Sequence, residues 1–134
     1  MAVTIDISSE YLDDIYEGTE VAVGEAGYAF ITFTWTGISI GVISTEDNDS
    51  APPIIKHCVP EVVIEQADDE YQEWYPIFQQ RTTYEEPVKF RLSDNVGKYS
   101  LNLYPLLEGT FIRPKIYFNG AESGTIIYNI EVGS

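Results

Sequence analysis

The chain has one cysteine, Cys58, and one histidine, His57. A lone thiol forms no intrachain disulfide and cannot join other thiols around a zinc ion, so neither kind of staple is expected to hold the fold. Basic residues are scarce as well. Seven Lys and Arg stand against 22 Asp and Glu, for a net charge of −15. Nucleic-acid binding and adhesion to anionic membranes both draw affinity from clustered bases, so neither partner is expected. No apolar run approaches the about 18 residues that cross a bilayer. The opening Met1–Asp6 shows no basic start leading into an apolar stretch, so no secretory signal is expected. Convincing helical stripes are missing too: the best window, Ser9 to Glu17, is short and carries adjacent Asp13 and Asp14, so it predicts one helical turn at most.

What the sequence does hold is enough apolar material for one core. It has 134 residues, 44% of them hydrophobic, and 22% charged. This predicts a single soluble domain over 1–134. The recurrent pattern is alternation with period two, rich in β-branched and aromatic residues. In Tyr28–Thr36 it sets Ala29, Ile31, Phe33 and Trp35 on one face. In Val88–Leu92 it sets Val88, Phe90 and Leu92 against Lys89 and Arg91. Turn chemistry at Asp94-Asn95-Val96-Gly97 predicts a hairpin over 88–104, and Asn119-Gly120 a second over 112–132. Pro114 cannot donate to a ladder, which predicts an edge or bulged strand there.

About ten short strands without helical crossovers imply an all-β antiparallel sandwich, jelly-roll or immunoglobulin-like. Its expected core is Ile31, Phe33, Trp35, Ile40, Val62, Phe90, Leu101, Leu103, Ile116, Tyr128 and Ile130.

No motif assigns a reaction. His57 and Cys58 suggest a base and nucleophile, yet consecutive residues of a strand point to opposite faces and cannot pair. Among so many acids, carboxylate pairs at catalytic spacing arise by chance. The expectation is a non-enzymatic chain. Asp47 and Asp49, in the Glu46–Ser50 run, would supply part of a calcium site, or simply favour a solvated turn. No other cofactor is expected.

Three binding candidates remain. Tyr71, Trp74 and Tyr75 are the most concentrated aromatics, suited to core packing, a protein interface or a glycan platform. The bases Lys89, Arg91, Arg113 and Lys115 fall on outward strand positions, where they either guard edges or dock against an acidic neighbour. Charge is also uneven: residues 1–80 hold sixteen acids and one base, and residues 81–134 hold six of each. Such a split suits a homo-oligomer built through the more neutral half, and reversing Arg91 and Arg113 is then expected to weaken it without unfolding the chain.

With strand pattern running from Val3 to Val132, the chain resembles the small β-sandwich structural proteins of tailed-phage virions, such as head decoration, fibre-base or tail-adaptor proteins. That resemblance implies assembly with other structural proteins in a virion, after synthesis in the host cytoplasm. The run Phe33-Thr34-Trp35-Thr36-Gly37-Ile38-Ser39-Ile40 is similar to a strand-turn segment of galactose-binding-like jelly rolls, which would imply an extracellular carbohydrate-binding module.

Overall fold

The structure is a computed structural model that describes residues 2–7, 15–39, 41–45, 54–67, 73–80 and 85–133. These residues contain strands and no helix. Two antiparallel sheets pack into one β-sandwich around a shared core.

The first sheet runs in the order β1 (Val3–Ile7), β14 (Gly124–Val132), β4 (Ala29–Thr36), β12 (Gly97–Leu103). The second runs β11 (Lys89–Arg91), β7 (Glu61–Ala67), β13 (Phe111–Tyr117), β2 (Ile15–Glu17), with β3 (Val21–Ala22) also on β13 and β8 (Tyr75–Pro76) on β7. Two further pairs stand apart: β5 (Gly41–Thr45) with β6 (Ile54–Cys58), and β9 (Phe78–Gln80) with β10 (Glu85–Pro87).

Alternation places the core as expected. In β4, Ala29, Ile31, Phe33 and Trp35 are buried, and β13 buries Ile112, Pro114 and Ile116. Of the expected core, Ile31, Phe33, Trp35, Val62, Leu101, Leu103, Ile116 and Tyr128 are buried; Phe90 and Ile130 are half-buried against it. Ile40 lies outside the described residues. At the centre, Phe33 of the first sheet meets Phe90 of the second edge-on at 5.1 Å and stacks on Tyr128 at 5.4 Å. Phe90 also stacks on Tyr99 at 4.0 Å, so aromatic rings bridge the sheets. A buried Phe is worth about 2–3 kcal/mol in removed apolar surface, so this cluster is a large part of what joins the layers.

Both expected hairpins are instead crossings between sheets. β11 pairs with β7 and β12 with β4, so the 92–96 connection passes from one layer to the other. Leu92 is fully buried and donates its N–H to Pro60 O, while the Asp94 and Asn95 carbonyls accept from Trp35 Nε1 and Ile38 N. Likewise β13 belongs to the second sheet and β14 to the first. Phe118 and Ala121 in their connection are fully buried, and Asn119 and Gly120 take left-handed φ values of 52° and 82°. An apolar side chain inside a connection draws it across the gap between layers, whereas a hairpin turn would sit in solvent.

Pro114 also corrects its expectation. Strand β13 is interior, flanked by β7 and by the divided strand β2/β3. Pro114 O accepts from Gly18 N, so the proline's missing donor faces the same side, where β2 has ended and β3 has not begun. The defect is taken up by splitting the neighbour. Glycine is needed at position 18, because a Cβ there would lie 2.7 Å from Pro114 Cγ and Cδ.

Candidate functional site

Because β11 and β13 both pair with β7, the four bases singled out in the sequence come together on one outer sheet face. Register sets Lys89 and Lys115 on either side of Val63, Arg91 beside Glu61, and Arg113 beside Glu65. Four of the chain's seven Lys and Arg residues thus share one surface with two acids of β7 between them. Sequence reading missed those acids, since cross-strand pairs exist only once register is known.

Glu65 is the one buried charged residue among the described residues. Its Oε1 accepts from Arg113 Nε at 3.1 Å, and its Oε2 lies 3.9 Å from Lys115 Nζ. Arg113 also reaches Glu17 Oε2 at 3.5 Å from Nη1, and its guanidinium sits 4.0 Å over the Trp74 ring. With 13% of its side chain exposed, Arg113 is clamped from three directions. Its role is therefore to hold β13, β7, β2 and the segment before β8 together. This corrects the expectation that reversing Arg113 leaves the fold intact, because the new carboxylate would face Glu65 and Glu17. Lys115 is half-buried, with Nζ 5.4 Å from the Tyr117 ring centroid.

Arg91 behaves differently. Its side chain is 72% exposed and meets Glu61 Oε2 at 3.4 Å, an exposed pair worth at most about 1 kcal/mol. Tyr75 is exposed on β8, opposite Gln66. Trp74 is half-buried, and one ring face is covered by Arg113, which removes that face from any flat ligand platform. Tyr71, Asp47 and Asp49 lie outside the described residues. His57 and Cys58 are consecutive in β6, opposite Val42 and Gly41. Among the described residues no three or more His, Cys, Asp or Glu side chains group as a metal site.

Beside the ion-pair network the same face holds a groove of about 350 Å³, floored by Val63, Pro76 and Pro87. Glu61, Lys89, Tyr117 and Asn119 line its walls. Asn119 is fixed by donating from Nδ2 to Val59 O at 2.8 Å. The face offers exposed cations, a half-covered aromatic ring and an apolar floor. Comparison with known proteins finds no matching family, curated protein or solved structure.

Proposed function

We propose that this chain is a non-catalytic assembly protein, a structural component of a virion that docks through the outer face of its second sheet. The observation that carries the reading is the gathering of Lys89, Arg91, Arg113 and Lys115 on one face of a chain with net charge −15. These four bases outnumber Glu17, Glu61 and Glu65 on the same face by one, so in a chain this acidic it is a face that an acidic neighbour can approach while the rest of the molecule repels it. Arg113 and Lys115 are held by Glu65 and give the patch rigidity. Lys89 and Arg91, both exposed, make the contact. Exposed charges orient such a contact, and Tyr117 and the groove floor supply apolar area for it, while Tyr75, paired with Gln66, points to the other side of the sheet. The test is Lys89→Glu with Arg91→Glu, scored by incorporation into virus particles. A several-fold drop in a folded variant supports the reading, and normal incorporation overturns it.

A second reading, a carbohydrate-binding module, is favoured by the groove. A tyrosine ring over an apolar floor, flanked by a carboxylate, an amide and an ammonium, matches the two-faced chemistry of a sugar. Binding of the isolated chain on a glycan array, lost on Tyr117→Ala, would favour this reading over docking.

A further inference from the structure

The outer face of the first sheet differs from the second: on its four strands the charged positions are Asp6, Glu131 and Lys98. Its positions on β14 and β4 include Ile127, Asn129, Thr32, Thr34 and Phe30, with Glu131 the one charge on these two strands. Ile127 is 41% exposed and Phe30 40%. Asn129 Oδ1 is buried and accepts no hydrogen bond from the described residues, although its Nδ2 donates to Glu131 Oε1 at 3.3 Å. In a chain with fifteen excess negative charges, such a face is where two copies approach with least repulsion.

We propose that this face is a two-fold interface with a second copy of the chain. The inference rests on reading the protein as an assembly component, but it uses a different face. Register supports this occupant. Thr4, Ile127, Thr34 and Lys98 form one row from β1 across to β12, and Asp6 stands one row further along β1. A two-fold axis parallel to the strands, between β14 and β4, reverses that row. Lys98 of each copy then lies over the Thr4 and Asp6 edge of the other, giving two equivalent opposite-charge contacts. The same operation sets Ile127 over Thr34 and Asn129 over Thr32 of the partner, with Glu131 over Phe30 at the end of the face. Face-to-face sheets settle about 30° from parallel because each is twisted, which this axis permits.

Four strands about 4.8 Å apart and seven residues long give a face roughly 20 Å square, so the dimer buries about 1,000 Å² in total. That is the lower end for a specific interface, so the dimer is expected to be weak and concentration-dependent. The test is sedimentation analysis of the full chain from about 1 μM to about 1 mM. A concentration-dependent dimer is expected. Ile127→Lys should weaken it at least tenfold, and so should Lys98→Glu, whereas Asp6→Lys combined with Lys98→Glu should restore it. Lys89→Glu with Arg91→Glu should leave it unchanged, because those bases face away. A monomer throughout the range overturns the proposal, and so does a dimer indifferent to Ile127→Lys or unrestored in the combined variant. A monomer whose particle incorporation still depends on Lys89 and Arg91 overturns this interface alone and leaves the docking function standing.

Discussion

Gly97 lies directly opposite Trp35 in the β12/β4 register, and the indole folds over it so closely that a Cβ on residue 97 would overlap the ring. An aromatic that covers a cross-strand glycine restores the contact area the glycine lacks. Trp35 is held there by donating Nε1–H to Asp94 O at 3.1 Å, which ties the sheet-crossing turn to the first sheet. Gly97→Ala is therefore expected to displace the indole and cost about 1–3 kcal/mol. Chemical denaturation, with tryptophan emission following Trp35, measures both effects. An alanine variant as stable as the parent would mean that the ring is free to move aside.

Phe33 is fully buried and touches rings from both layers, Phe90 across the gap and Tyr128 within its own sheet. Phe33→Ala should cost about 3–5 kcal/mol, because the neighbouring strands cannot close the cavity. Phe90 is only half-buried, so Phe90→Ala should cost less. Thermal denaturation of the two variants gives the order. A larger loss at position 90 would contradict the ring geometry.

The contrast between the legible and the illegible follows from range. Alternation along β4 or β13 is local, so Phe33 inward and Arg113 outward could be read from neighbours in sequence. Which strand lies beside which is not local. The turn at Asp94–Gly97 has hairpin chemistry, yet buried Leu92 and the bond from Trp35 turn it into a crossing, and both depend on residues about 30 or more positions away. Glu65 was invisible for the same reason. As an acid at an alternating position it reads as solvated, and only pairing with β13 surrounds it with Arg113 and Lys115. Pro114 signalled a defect correctly but not whose: the split fell on β2/β3, its neighbour.

Tyr128 and Tyr16 bring their hydroxyls to 3.3 Å across the sandwich. Burial, and then the hydrogen bond to Tyr16 and its charge, hold the Tyr128 phenol well above its usual value of 10.0. The unfolded chain therefore gives up this proton first. The stabilisation is whole below pH 10 and is lost progressively as pH rises above it, by at most about 1.4 kcal/mol per unit. Tyr128→Phe should cost about 1 kcal/mol at neutral pH. That deficit should shrink above pH 10, where the parent weakens and the variant lacks the titration. A deficit that stays constant from pH 8 to 11 would show that the phenol ionises normally in the folded chain.

The Glu65–Arg113 pair decides whether the basic face is a rigid patch or a set of loose charges. Both side chains are nearly covered, at 8% and 13% exposure, so removing either one leaves a charge in a poor solvent for it. Breaking a buried pair costs about 3–5 kcal/mol, but Glu17 and the Trp74 ring remain near Arg113, so Glu65→Gln should cost about 2–3 kcal/mol. Arg113→Lys keeps the charge and loses the planar stacking on Trp74 and the Nε–H donor, so it too should destabilise, with a red shift of Trp74 emission. Arg113→Glu should be worst, because three carboxylates then converge. Replacing both Glu65 and Arg113 by Met removes the desolvated charges together. The double variant should therefore be more stable than the sum of the single ones predicts, with a coupling of about 1–3 kcal/mol in a double-mutant cycle. Single losses below about 0.5 kcal/mol would instead mean that the pair is solvated, and Arg113 would return to the set of bases free to dock.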